Sequence, residues 1–298
     1  MPLLKGAVNL IELVVPAEVV FDDKQVREHL FMDIDDSYDE FSVGWVNPLD
    51  MFDTSAPFLV LGEYVVLSMR VDKRTVPGAV LKKLVAKEIR RVMQEKQVPK
   101  LSRASRIEIK ARIQIELLRK AKPTSATFEA VWRVHDHRLF FLGAPGSPMD
   151  SFLELFSETF GGDLTVTEHE RNEDFLAWAW WQSEEISIAG RMVIGEGPEQ
   201  QVVCAGGPEA FKALALGKKI SQAQIRVDDK GVCTLVPDVM VFKGMKLPTV
   251  AAAGDIDDGL VLERIHLITE MVDAVRAEYQ EYLGADLSGM PEWVEESI

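Results

Sequence analysis

PGAVLKKLVAKEIRRVMQEKQVP, residues 77–99, carries two patterns at once. Leu81, Leu84, Val85, Ile89, Val92 and Met93 recur at helical spacing and form an apolar stripe. Lys83, Lys87, Arg90 and Arg91 recur at the same spacing on another face. Proline is tolerated in the first turn of a helix and not in its interior, so Pro77 opens this helix and Pro99 closes it. The next segment, SRASRIEIKARIQIELLRKA (102–121), fits two templates. Ile107, Ile109, Ala111, Ile113, Ile115 and Leu117 alternate with polar residues as in a strand. Ile109, Ile113 and Leu117 also share one face of a helix, and length and composition favour the helix, with Pro123 as its stop.

The charge is as segregated as the pattern. Residues 70–122 hold 17 Lys and Arg against 5 Asp and Glu, a net of +12. The rest of the chain holds 16 against 43, a net of −27, so the total of −15 hides a strongly basic segment. A local basic surface attracts polyanions while an acidic remainder repels them. Two readings stay open at this point: a polyanion-binding arm, or a solvated hairpin whose charges pair with an acidic neighbour or protein partner.

Outward from the arm, the chain reads as α+β with mixed or antiparallel sheets. Residues 7–20 make one or two buried strands broken at Pro16, Asp22–Leu30 a short helix capped by Asp22 or Asp23, and Asp33–Glu40 an acidic loop. Phe58–Val71 gives two strands around Gly62, and Phe128–Gly143 a hairpin turning near Asp136. Met149–Phe160 is an amphipathic helix stopped by Gly161 and Gly162. Strands follow at Leu164–Thr167, Gln200–Ala205, Gln222–Asp228 and Gly231–Val236, with helices at Pro208–Ala215 and Asp257–Leu283. Trp178, Trp180 and Trp181 mark a packing anchor or an interface. The organisation is a body of residues 1–75 and 124–298, with a second boundary to be sought near 168–175, and a basic helical arm at 76–123.

Catalytic chemistry is thinly represented. The 298 residues contain no phosphate-binding glycine loop and no nucleophile elbow. Glu108-Ile109-Lys110 is half of a metal-dependent nuclease signature, and Asp72 is a poor second carboxylate for it. Asp33, Asp35 and Asp36, and Asp255, Asp257 and Asp258, lack calcium-loop spacing. His135 and His137 share a turn with no third ligand nearby, and Cys204 and Cys233 read as apolar fillers. No run of about 18 apolar residues predicts a membrane span, and the N-terminus lacks the basic region of a signal peptide, so the expected compartment is the cytoplasm.

Five stretches resemble the RdgC family of recombination-associated proteins, in order over roughly residues 40–235. They are Gly44-Trp45-Val46-Asn47-Pro48; Lys73-Arg74-Thr75-Val76-Pro77 leading into the basic helix; Glu116-Leu117-Leu118-Arg119-Lys120-Ala121 before a hairpin with Trp132; Phe156-Ser157-Glu158-Thr159-Phe160-Gly161; and Gly217-Lys218-Lys219 before a strand. The resemblance implies a horseshoe-shaped protomer and a homodimer closed into a ring. Double-stranded DNA would pass through a basic hole without sequence preference, at the nucleoid, restraining RecA-mediated strand exchange. It implies phosphate contacts from Lys82, Lys83, Lys87, Arg90, Arg91 and Lys218. Where the family has Pro and Phe this chain has Arg119 and Lys122, so Lys122, or Phe128 after a one-residue shift, is expected at a dimer interface. A basic pair of the family corresponds to Glu199-Gln200. No catalytic residue, metal or cofactor is expected, and no membrane partner. The alternatives are a nuclease built on Glu108 and Lys110, or a non-catalytic module that docks an acidic protein.

Overall fold

The computed structural model describes residues 2–4, 6–37, 39–166, 174–195, 201–248 and 257–285. β1 (Val8–Val14) is buried at five of its seven positions because it runs through the middle of a sheet covered on both faces. α1 (Asp23–Glu28) starts where the Asp22 carboxylate accepts the Lys24 N–H at 3.0 Å. β2 (Phe41–Val46), β3 (Phe58–Leu61) and β4 (Tyr64–Arg74) follow, and β4 leads into the arm, α2 (Gly78–Glu95) and α3 (Arg103–Lys120). The chain returns through β5 (Pro123–Arg133) and β6 (Arg138–Leu142). α4 (Ser147–Phe160) stops at Gly161, which takes a left-handed φ of 73°. Then come β7 (Thr165–Val166), α5 (Phe175–Gln182), β8 (Ile186–Ile194), β9 (Val202–Cys204) and α6 (Pro208–Ala215). β10 (Ile220–Val227), β11 (Gly231–Val236), β12 (Val241–Lys246) and α7 (Asp258–Gly284) complete the described elements.

The strands form one sheet in the order β2-β4-β5-β6-β1-β12-β11-β10-β8-β9, with β3 beside β4 and β7 beside β1. Every strand pairing is antiparallel; an isolated bridge between Leu30 and Trp45 is parallel. Because strand residues alternate between faces, β1 serves two cores. Ile11 and Leu13 join Leu67, Met69 and Trp132 under α4, where Trp132 meets Phe156 and Phe160 edge-on at 5.6 and 5.5 Å. Leu10 faces the other way, with Phe140, Ile225 and Phe242 under α5, α6 and α7. The sheet is continuous through the body; the boundary sought near 168–175 falls partly on residues 167–173, outside the described residues.

Several expected bounds move. The Leu164–Thr167 strand shrinks to the two residues of β7, with Thr167 outside the described residues, and Gln200–Ala205 shrinks to β9. β5 begins at Pro123, five residues before the expected hairpin, because Thr124–Thr127 pair with the polar end of β4. β8 and β12 are additional strands. Glycines disguised both: Gly190 lies where a Cβ would strike Gln224 of β10, and Gly244 takes a φ of 59° at a bulge opposite β1, its N–H held by Asn9 at 2.8 Å. Trp178 is fully buried against Phe175 and Tyr282, so it is a packing anchor, whereas Trp181 is exposed.

Beyond the apolar core on the sheet face opposite α4, the β4–β5 end of that face is polar and still buried, with Ser68, Arg70, Asp72 and Glu129. On it Glu129 is 1% exposed, and one of its carboxylate oxygens accepts the Leu3 N–H at 2.8 Å. Burial pushes its carboxyl up to about 7. A carboxyl raised in the folded state stabilises the fold below its unfolded value, and that stability is lost as pH rises through about 7. Between pH 5 and 8 wild type should therefore lose up to about 3 kcal/mol relative to Glu129→Gln, read from urea unfolding of both proteins. Parallel pH profiles would contradict the assignment.

Candidate nucleic-acid interface

α2 and α3 lie side by side, joined by residues 96–102, and share a small core of their own. Leu101, Ile109 and Ile113 are buried there against Leu81, Leu84, Val85, Ile89, Val92, Met93 and Leu117. The apolar stripe read in residues 77–99 is thus spent on packing the two helices together, and the second segment is a helix. Its N-terminus is fixed by Ser102, whose hydroxyl accepts the Ser105 N–H at 3.1 Å.

With the apolar stripe turned to α3, the basic stripe turns to solvent. Lys83, Lys87 and Arg90 stand at i, i+4 and i+7, within one face about 10 Å long. All three are exposed, as is Lys82 at the edge of that face, and none has an ion-pair partner among the described residues. Arg91 differs. Its guanidinium makes two bonds to Glu88, at 2.9 and 2.6 Å, and one to Glu95 at 2.8 Å. Arg112 of α3 reaches the same Glu88. The Arg91 hydrogen bonds hold the Glu88 carboxyl below its ordinary range. Arg91 is thus the one residue of the expected phosphate-contact set on α2 that is ion-paired to carboxylates of its own helix, although its side chain stays exposed.

Arg103, Arg106 and Lys110 form a second basic stripe on α3, also exposed and without ion pairs among the described residues. Their i, i+3, i+7 spacing is the signal by which sequence could have found them; the alternating isoleucines drew the reading elsewhere. Lys218 stands apart. It precedes β10, and four strands lie between β10 and β5, from which the arm springs. Lys122 is exposed at the arm's root. Phe128 is half-buried, its ring stacked on Phe141 at 6.4 Å, so much of that ring is already held by the body. Glu199 and Gln200 lie outside the described residues.

One buried side chain fixes the arm to the body. Arg74, the last residue of β4, is 6% exposed. Its guanidinium donates to the carbonyl oxygens of Ile34 (2.6 Å), Asp35 (3.2 Å), Ser37 (3.1 Å) and Asp39 (3.0 Å), and to that of Ala121, the residue that ends α3. Four residues earlier on the same face, Arg70 grips Asp72 with two bonds of 2.8 and 2.7 Å between the rings of Phe31 and Phe52. The acidic loop read at Asp33–Glu40 keeps the side chains of Asp33, Asp35, Asp36, Asp39 and Glu40 exposed and turns four backbone carbonyls inward onto Arg74.

Over residues 20–189, more than half of its length, the sequence matches the family described as "Putative exonuclease, RdgC". The chain belongs to the RdgC family. It is a recombination-associated protein of that type, and the matched span holds the whole arm and its root strands. No curated protein matches the chain. In this RdgC protein Glu108 and Lys110 are exposed on α3, where two residues of separation turn side chains about 200° apart. The half-signature is therefore not assembled into a shared site. Among the described residues no group of three His, Cys, Asp or Glu is placed to hold a metal. His135 instead contacts Glu63 at 2.9 Å, and Cys233 is buried, its thiol pushed up to about 12 by burial. Among the described residues no helix is long and apolar enough to cross a membrane.

Proposed function

We propose that this RdgC-family protein binds double-stranded DNA without sequence preference, as a homodimer closed into a ring, and so modulates RecA-dependent recombination at the nucleoid. The observation that carries the reading is the unpaired basic face of the arm: Lys82, Lys83, Lys87 and Arg90 on α2, continued by Arg103, Arg106 and Lys110 on α3. Cations that hold no carboxylate of their own are available to phosphates, and flexible lysines on a helix face suit a backbone that is the same at every sequence. An acidic body accounts for a DNA binder of net charge −15, since duplex is drawn to the arm and kept off the rest. The ring comes from the family resemblance, and it supplies retention that a few phosphate contacts alone would not. The protein acts by occupying DNA and carries out no bond cleavage.

Binding to linear and to covalently closed circular duplex of one sequence, titrated with salt, tests this. Log affinity should fall linearly with log salt, equally for unrelated sequences, and complexes on circles should outlive those on linear DNA. Magnesium-dependent degradation lost in Glu108→Ala would replace this reading with a nuclease. Failure to bind at low salt would replace it with a docking surface for an acidic protein.

A further inference from the structure

An open groove of about 1,300 Å3 runs between α2 and α3, walled by Lys83, Lys87, Arg90 and Arg91 of α2 and by Arg112 of α3. Two carboxylates lie in it, Glu88 and Glu116. Glu116 is exposed and has no ion pair among the described residues. Glu88 is fully engaged. One of its oxygens accepts from Arg91 at 2.6 Å and from Arg112 across the groove, and the other accepts the Arg91 Nε–H at 2.9 Å. Two guanidinium groups, one from each helix, thus converge on a single oxyanion. The Glu88 side chain is 18% exposed, whereas those of Arg91 and Arg112 are 57% and 54% exposed. The carboxylate sits within the groove and the guanidinium groups reach solvent. Its carboxyl lies below the ordinary range, so it is charged at neutral pH.

We propose that Glu88 is a built-in competitor of phosphate: it holds the place between Arg91 and Arg112 that a DNA phosphate would take, and so limits the arm's affinity for duplex. The inference rests on the DNA reading above and adds an affinity-setting residue to it. A guanidinium fork matches the paired oxygens of a carboxylate and of a phosphate alike. The geometry that receives Glu88 is therefore also a phosphate geometry. A phosphate arriving at Arg91 or Arg112 displaces a carboxylate first, whereas one arriving at Lys83, Lys87 or Arg90 does not. Ion pairs this exposed are weak, so the competitor tempers binding and does not block it. Glu88 is not needed to clamp the two helices together, because Leu84, Ile89, Ile109 and Ile113 already do so through their own core. Arg112 has no other ion pair among the described residues, while Arg91 keeps Glu95 at 2.8 Å. Loss of Glu88 therefore releases Arg112 first.

Fluorescence anisotropy of a labelled duplex, titrated with salt against the full chain, tests this. One released phosphate contact steepens the slope of log affinity against log salt by about 0.9, which from molar salt to about 0.15 M is worth about fivefold. Glu88→Gln should therefore bind duplex about fivefold tighter or more at about 0.15 M, equally for unrelated sequences and with the steeper slope. Glu116→Gln removes the same charge from the same groove without releasing an arginine, and should gain less than about twofold. Arg112→Gln alone should change affinity little, yet added to Glu88→Gln it should remove most of the gain. Glu88→Asp draws the carboxylate back from Arg112 at unchanged net charge and should tighten binding in the same direction, which carries the test if Glu88→Gln fails to fold. Unchanged affinity in the Glu88 variants, an equal gain from Glu116→Gln, or a gain that survives Arg112→Gln overturns the inference and leaves DNA binding standing. Failure of wild type and every variant to bind duplex at low salt overturns the DNA reading and this inference with it.

Discussion

Charge reversal at Lys83, Lys87 and Arg90 is expected to cost roughly 100-fold in duplex affinity at about 0.15 M salt. Each phosphate contact contributes about −0.9 to the slope of log affinity against log salt, so three contribute about −2.7. Extrapolated from molar salt to 0.15 M, that slope is worth about two decades. The loss should be the same for any duplex sequence, and the residual slope should be shallower by nearly three. All three side chains are exposed and lack ion pairs among the described residues, so folding stability should change by no more than about 0.5 kcal/mol. Arg91→Gln provides the contrast. Arg91 is held by Glu88 and Glu95, and its loss should leave the slope nearly untouched. Filter binding at several salt concentrations, with thermal unfolding alongside, decides the matter. An unchanged slope in the triple variant, or an equal effect from Arg91→Gln, would remove the α2 face from the DNA contact.

The second large effect is expected at Arg74. Replacing it with Met keeps the aliphatic bulk and strips the donors from five carbonyl oxygens at once. Hydrogen bonds to a charged donor are worth more than neutral ones, and buried acceptors left behind carry a penalty. The five losses do not add fully, because water enters, and a net cost of about 3–5 kcal/mol is expected. A positive charge at the end of α3 also complements the helix dipole, so the helix should fray from Ala121 inward. Urea unfolding measures the cost. Hydrogen exchange at α3 should show faster exchange at its C-terminal turn than in the Ile109–Ile113 region. A loss under about 1 kcal/mol with unchanged exchange would mean that the polar β4 end is dispensable to the arm.

How far these features were legible depends on where their partners lie. α2 was readable because both its faces and both its ends are written locally, in stripes of apolar and basic residues between two prolines. α3 was readable only with difficulty. Its isoleucines occupy two opposite faces, and Ile107 and Ile115 remain 60% and 48% exposed while Ile109 and Ile113 are buried. In one dimension that distribution imitates strand alternation. β8 and β12 were hidden by Gly190 and Gly244, which a sequence presents as breaks and the sheet uses for close approach and a bulge. The polar end of β4 was the least legible. Arg70, Asp72 and Arg74 look like a strand running out into solvent, yet they are buried under loops supplied by residues 31–53. Nothing local announces a partner that folding brings from forty residues away. Within the arm the partners are local instead: Glu88, three residues before Arg91, and Glu95, four after it, take that guanidinium.

The separation of a +12 segment from a −27 remainder makes the molecule an electric dipole. Near a polyanion a dipole experiences a torque as well as a pull, so within a Debye length, about 10 Å at 0.1 M salt, the protein turns before it touches. It arrives arm first, and fewer encounters are wasted on the wrong orientation. The body of a neighbouring copy is itself a polyanion in the eyes of that arm. Each molecule therefore carries both a reader of negative charge and a decoy for other readers, and the traffic between them is set by the ionic strength of the surroundings.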